Sequence, residues 1–522
     1  MRKSKLRKQL DENFGLPKDE KFHIDLIGDY YKKKRKTGER VLSDRTCHDL
    51  DFDEFYMFAD RTVSRVGQQY LYAKLRLLPN QIPDFSQQEE RIGFLTDNPD
   101  KRLDMQVSLA QVSSHEAYHI NSLFQDKLVE RPSWFIGIRF LAIISLSLVA
   151  LAPFFPQALI ALLGVIVVNL IIHYWNKGNL YQYTSAIPQL LRLNKVAKDL
   201  YKHQVWAEGN RELSHALKTI DRLNSRMRFF QLEAKLESDS SAILWGMIEM
   251  LKLVFLLEPL LLFSSLKLID KHSDQVKQVF AFVGEVDVMI SIVSLRKDIK
   301  FCKPYFYEVK GQLRAQEVYH PLINNCIAND LLVNNKSVLL TGSNMSGKTS
   351  FIRTIGLNTV SAYTLNTCFA NVFELPIMHI YSAIRINDDL MNDKSYYFEE
   401  VVTLKHLMDE GRKSSCLFLL DELYKGTNTV ERIAAGKAVL CDLNQANNIV
   451  IVATHDLEMT EMLSEGYDLY HFCELVSNKG IDFDYRLKSG KLEKTNAIKI
   501  LEVNDYPIEV IAEAKRMVRQ LS

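Results

Sequence analysis

The stretch VLLTGSNMSGKTSFIRTIGL, residues 338–357, decides how this chain is read. Val338 to Thr341 form a short apolar run that predicts a buried strand, and a helical pattern follows Lys348. Between them, Gly342, Gly347, Lys348 and Thr349 fit the pattern G-x-x-x-x-G-K-[ST]. In such a loop the glycines let backbone N–H groups turn inward around a β-phosphate at the start of a helix. Lys348 would reach β- and γ-oxygens, and Thr349 would ligate magnesium. The expected nucleotide site is therefore Gly342, Ser343, Asn344, Met345, Ser346, Gly347, Lys348, Thr349 and Ser350, with ATP and Mg2+ as cofactors.

Two further strand ends support that reading. CLFLLDELYKGTNT runs through the apolar residues Leu417 to Leu420 into Asp421 and Glu422. A carboxylate at a strand's carboxyl end can hold Mg2+ through water, the role expected of Asp421, while Glu422 beside it can polarise an attacking water. NIVIVATHDLEMT supplies a third strand, Ile449 to Ala453, ending at Thr454 and His455, which puts an imidazole where a γ-phosphate would lie. Either pair alone would more simply be a strand terminus or a helix cap. Three such ends in one α/β pattern point instead to catalysis, with Lys348, Glu422 and His455 as its residues.

These motifs bring a family into view: residues 315 to 522 resemble the ATPase domain of the MutS family, DNA mismatch repair proteins related to ABC-type ATPases. TGSNMSGKTS is similar to that family's phosphate loop, with Asn344 and Met345 in the family's positions. The resemblance implies that Ile327, in CIAN after HPLI, lies against adenine, and that His471, in LYHFCE, is its second neighbour. It also implies that Ser395, in DDLMNDKSYYFEEV, crosses a dimer interface to the partner's nucleotide, which makes a homodimer the expected assembly. Residues 42–79 resemble the start of the MutS core domain and residues 284–306 its end, while NAIKILEVNDYPIEVIAEAKRMV resembles the paired helices of the family's dimers. One departure follows the Asp-Glu pair, where Lys425 and Asn428 replace the family's usual arginine and serine. An ammonium cannot copy a planar guanidinium fork, so a scaffold that binds ATP without turnover stays open as a reading.

Outside the motifs, WFIGIRFLAIISLSLVALAPFFPQALIALLGVIVVNLIIHYW, residues 134–175, predicts two apolar helices turned at Pro153 and Pro156, with Arg139 and His173 near the ends. Helices of about 18 to 20 residues span roughly 30 Å, the thickness of a bilayer core. Trp134, Tyr174 and Trp175 stand where an aromatic belt would, and Lys127, Arg131, Lys177, Arg192 and Lys195 flank both outer ends. The expectation is a two-span membrane protein with N- and C-terminal parts cytoplasmic and the lipid bilayer as a partner. A third apolar run, Ser241 to Ile269, holds Glu249, Lys252 and Glu258 and is expected to be a buried helix of the soluble body.

Bulk properties narrow the alternatives. The 522 residues carry 65 Lys+Arg against 64 Asp+Glu, so no global charge draws the molecule to nucleic acid. The local cluster YYKKKRKTGER, Tyr30 to Arg40, would bind DNA phosphates or anionic headgroups through charge alone. The 7 cysteines show no CxxC pair, as expected of reduced thiols in a cytosolic body rather than of disulfides or a zinc site. The N-terminus is basic without an apolar core segment, unlike a secretory signal. The segment that reads mismatches in MutS sensors, with its Phe-x-Glu motif, is not apparent, so the resemblance implies ATP binding more strongly than mismatch recognition.

The expected fold class is an α/β P-loop NTPase domain, ABC-ATPase-like, at the C-terminus, preceded by an all-α core and lever domain with an inserted transmembrane hairpin. The expected divisions are a basic segment at 1–41, core helices at 42–133, the hairpin at 134–175, lever and core helices at 176–314, the ATPase at 315–495 and a dimerisation segment at 496–522. The expected function is a membrane-anchored dimeric ATPase whose nucleotide state moves the lever helices; the alternative is a membrane-tethered DNA-binding repair or recombination protein.

Overall fold

The computed structural model describes residues 3–34, 40–207, 211–238, 242–309, 311–343, 346–385, 396–424, 427–445, 447–477, 480–492, 501–502 and 506–521. The chain forms two compact units. The first comprises 1–35, 60–73 and 86–295, the second 36–59, 74–85 and 296–522. Residues 42–59 and 74–85, expected among the core helices, and residues 36–41, expected in the basic segment, thus group with the C-terminal unit.

The first unit is helical. Helix α1 (Arg65–Arg76) and helices α2 (Phe135–Leu151), α3 (Ala158–Tyr201), α4 (Arg211–Ser238), α5 (Ala242–Phe255), α6 (Leu257–Lys271) and α7 (Ser273–Asp298) carry its main features. Helix α3 runs unbroken for 44 residues, about 66 Å at 1.5 Å per residue. Its first half belongs to the apolar stretch, and Leu163, Val167 and Ile171 there are exposed. Its second half is core, with Ile187, Leu190, Leu193 and Leu200 fully buried. Helix α2 packs antiparallel beside the first half, and Trp134 and Trp175 meet edge to face at 5.1 Å.

The stretch 241–269 is not one buried helix. It breaks at Leu256, whose φ of 50° is left-handed, into α5 and α6. Helix α5 lies against both α2 and α3 while Met247, Met250 and Leu251 remain exposed on its outer face. The three charges are drawn inward: Lys252 Nζ lies 2.9 Å from Glu249 Oε2 and 3.3 Å from Glu258 Oε2. Burying a lysine costs less when carboxylates surround it. Asn169, inside the apolar half of α3, is fully buried and donates through Nδ2 to Val254 O at 2.8 Å and Ser145 Oγ at 3.3 Å.

Helix α7 approaches α1 closely. Gly284 and Gly67 make this possible, because a Cβ on Gly284 would meet the Tyr70 Cβ at 2.6 Å and one on Gly67 would meet Asp287 at 2.2 Å. Asp287, fully buried, caps the start of α1 by accepting from Val63 N–H at 2.9 Å and Ser64 N–H at 2.7 Å, and from the Ser64 hydroxyl at 2.5 Å. Complete burial still pushes its carboxyl up to about 6.

The second unit is built on sheets. A six-stranded sheet has the order β12-β9-β4-β8-β7-β6, formed by β4 (Ser337–Thr341), β6 (His379–Ala383), β7 (Cys416–Asp421), β8 (Ile449–Ala453), β9 (Tyr467–His471) and β12 (Lys488–Ser489). All its pairs are parallel except β12 on β9. Strands β4 and β8 are buried throughout, as central strands covered on both faces must be. A smaller sheet, β1-β5-β2-β3, uses β1 (Tyr305–Tyr307), β2 (Gln312–Val318), β3 (Asn329–Asn334) and β5 (Val372–Pro376). Strands β10 (Glu474–Ser477) and β11 (Gly480–Phe483) form a hairpin. The helices of this unit used below are α8 (Lys348–Leu365), α9 (Tyr396–Gly411), α10 (Thr429–Leu443) and α11 (Ile508–Leu521). The early segment is tied in by Asp49, which accepts from Ser382 Oγ at 2.6 Å and Arg385 N–H at 2.8 Å just beyond β6.

Candidate functional site

The parallel register aligns the carboxyl ends of β4, β7 and β8. Leu340 pairs with Ala453, and Asp421 pairs with Ala453 from the other side. Side chains leaving these ends converge, as they do at ligand sites of open α/β sheets. From β4 the chain enters the glycine-bounded loop. Gly342 stands at φ 144°, and a Cβ there would meet Phe472 O at 2.5 Å, so only glycine fits. Gly347, at φ 111°, starts α8, leaving that helix's first N–H groups facing the loop.

Lys348 is buried and folds back over this loop. Its Nζ donates to Gly342 O at 2.6 Å and to Ser343 O at 2.9 Å, and lies 3.4 Å from His455 Nε2. Thr349 Oγ1 donates to Asp421 Oδ2 at 2.6 Å. Glu422 Oε1 is 2.6 Å from His455 Nε2. Three strand ends thus supply two sets of contacts, Thr349–Asp421 and Lys348–His455–Glu422.

A cavity of about 510 Å3 opens over Lys348, Thr349 and Glu422, with Asp421 and His455 outside its lining. Ile327, Ser343, Lys348, Thr349 and Glu422 all line it, joined by Gly347 and Ser350. His471 does not line it: it sits on β9, paired with Thr341, and its Nδ1 lies 2.9 Å from Gly490 O. The neighbouring Phe472, together with Tyr485, forms that wall. Ser346 is buried, its hydroxyl donating to Ser343 O at 2.8 Å. Asn344, Met345, Ser395 and Lys425 lie outside the described residues.

Several contributors carry no sequence signal of their own. Glu474, buried at the start of β10, accepts from Ser343 Oγ at 2.7 Å and so holds the loop from beneath. Glu400, fully buried on α9, accepts from the Tyr424 N–H. That bond steadies a turn in which Glu422 (φ 52°) and Tyr424 (φ 60°) are both left-handed. Asn428, the departure noted after the Asp-Glu pair, caps α10 by accepting from Glu431 N–H at 3.0 Å. His320, which also lines the cavity, is held neutral, burial pushing it down to about 4.

Residues 338–522 match the family model of MutS domain V. The C-terminal part of this chain is thus similar to that domain of the MutS family. The chain is 30% identical over 261 residues to the DNA mismatch repair protein MutS of Aquifex pyrophilus, an alignment covering 48% of this chain and 30% of that protein. It is 29% identical over 266 residues to the protein of the same name from Petrotoga mobilis, covering 49% of this chain and 32% of the relative. A third, from Thermus thermophilus, is 26% identical over 256 residues, 48% of this chain and 31% of that one. The alignments thus span about a third of these relatives' length. The loop, Asp421, Glu422 and His455 fall inside the matched residues, whereas His320 and Ile327 precede them.

Proposed function

We propose that this chain is a magnesium-dependent ATPase of MutS type, held in a lipid bilayer by the hairpin of α2 and the outer half of α3. The observation that carries the catalytic part is the cavity that unites Ile327, the glycine-bounded loop, Lys348, Thr349 and Glu422. Its volume suits a nucleotide, and the loop turns helix N–H groups toward it. The donor set fits magnesium: a hydroxyl and a carboxylate, Thr349 and Asp421, sit side by side, and Mg2+ typically takes one or two protein oxygens with waters and phosphates. When bound, the ion would neutralise charge developing on the transferred phosphoryl group.

The chain's own residues do the rest. Lys348 exchanges its two carbonyl acceptors for phosphate oxygens. Glu422 accepts a proton or hydrogen bond from the attacking water, and the His455 imidazole, 2.6 Å from it, orients that carboxylate. Ile327 and Tyr485 offer flat apolar and aromatic surface to a base. A homodimer is supported by exposed apolar faces on α9 (Phe398, Val402) and α11 (Ile508, Val510, Val518). In this reading nucleotide state moves the long helices, and their motion reaches the hairpin. The membrane part rests on the exposure of an apolar surface from Ile136 to Trp175 that water would not favour.

The test is hydrolysis by the full chain in detergent, with and without duplex, mismatched and branched DNA. Turnover should require Mg2+ and be abolished by Lys348→Ala, and Glu422→Gln should bind ATP without hydrolysing it. Retained hydrolysis by Lys348→Ala would refute the site. The second reading, a membrane-tethered DNA-binding protein, is favoured by what the relatives' names say of those proteins; DNA-stimulated turnover would select it.

A further inference from the structure

Cys302 and Cys368 are far apart in sequence but face each other directly within the second unit. They exchange both backbone hydrogen bonds, Cys302 N–H to Cys368 O at 3.0 Å and Cys368 N–H to Cys302 O at 2.9 Å, as an isolated antiparallel bridge. Residues so paired have Cα atoms about 5.5 Å apart. Disulfides form across Cα separations of roughly 4.4–6.8 Å, a range that includes this pairing. The two thiols have unequal surroundings. Cys368 is fully buried behind the end of α8, its Sγ 3.9 Å from Asn358 O, whereas Cys302 is only partly buried. A hydrogen bond from Cys368 lowers the Cys302 thiol below its usual value, while burial raises that of Cys368 well above its own.

We propose that Cys302 and Cys368 are a redox-active dithiol that a peroxide converts to a disulfide, with Cys302 as the attacking sulfur and Cys368 as the resolving one. The Cys302 thiolate attacks one peroxide oxygen, the O–O bond breaks, and hydroxide leaves with a proton from solvent as water; Cys302 becomes a sulfenic acid. Cys368 Sγ then attacks Cys302 Sγ and the S–O bond breaks. The Cys368 proton leaves with that oxygen as a second water. The peroxide is reduced by two electrons and the dithiol oxidised by two. The bond would fasten the segment entering β1 to the end of the helix whose other end starts at Gly347. This assignment stands whether or not the chain hydrolyses ATP.

The test uses the full chain in detergent, treated with hydrogen peroxide, blocked with N-ethylmaleimide, digested without reductant and mapped by mass spectrometry. The expected product is a linked Cys302–Cys368 peptide that dithiothreitol abolishes, formed several-fold faster than oxidation of the exposed Cys441. In Cys368→Ser, dimedone should trap Cys302 as the sulfenic acid. Recovery of both cysteines as alkylated thiols after Cys441 has oxidised would overturn the proposal. So would a linked peptide that appears only when the chain is first unfolded in urea. The wild-type mapping decides the matter even if a variant fails to fold.

Discussion

Two helical stretches, Ala158–Trp175 and Ser273–Asp298, are both long and apolar enough to cross a membrane, yet in their most apolar 18-residue windows 11% of the first is buried and 83% of the second. What separates them is how each uses its small and polar residues. In α7, Gly284 and Gly67 bring backbones together and Asp287 ties down the start of α1. In the outer half of α3, Gly164 faces open space, with nothing within 4 Å of where a Cβ would be, and Asn169 turns inward to its own neighbours. Hydropathy alone treats the two alike. Crowding around the glycines tells them apart.

The largest effect should come from replacing residues 134–175 by a short Gly/Ser linker. The full chain should resist alkaline carbonate extraction from membranes and the shortened one should not; a wild-type chain released by carbonate would erase the contrast. Next in size is a pH effect on α7. The Asp287 carboxyl is raised from its ordinary value near 3.8 to about 6, so between those values the folded chain keeps a proton that the unfolded chain has released. Stability should therefore fall as pH rises through that window, on the order of 3 kcal/mol in total. Denaturant titrations of the wild type against Asp287→Asn would measure it, the variant giving the flatter profile.

Smaller is the cost of filling the glycines. Gly284→Val should destabilise by about 1–3 kcal/mol by driving into Tyr70, whereas Gly164→Val should change thermal stability little. Equal losses in melting experiments would mean that the outer half of α3 is packed after all. Smallest is Asn169→Leu, which leaves Val254 O without its donor and should cost about 1–2 kcal/mol.

The same distinction explains what could be read from the residues alone. The strand runs ending at Thr341, Asp421 and Ala453, and the loop from Gly342 to Thr349, are local signals, and the structure brings Lys348, Thr349, Asp421, Glu422 and His455 together. Ile327 was readable through the family resemblance. Glu400, Glu474 and Tyr485 were not, because their roles arise only when distant segments meet. The break at Leu256 has no glycine or proline to announce it, although Pro259 follows three residues later. The inward side of Asn169 was equally hidden, since its partners come from α2 and α5.

Helix α3 holds one internal proline, Pro188, within its buried half. Proline removes one hydrogen bond and loosens the rod at that turn. From Pro188 to Ala158 the rod measures about 45 Å, and from Pro188 to Tyr201 about 20 Å, at 1.5 Å per residue. The missing bond therefore divides the rod unequally, with roughly two-thirds of its length on the apolar side of that turn.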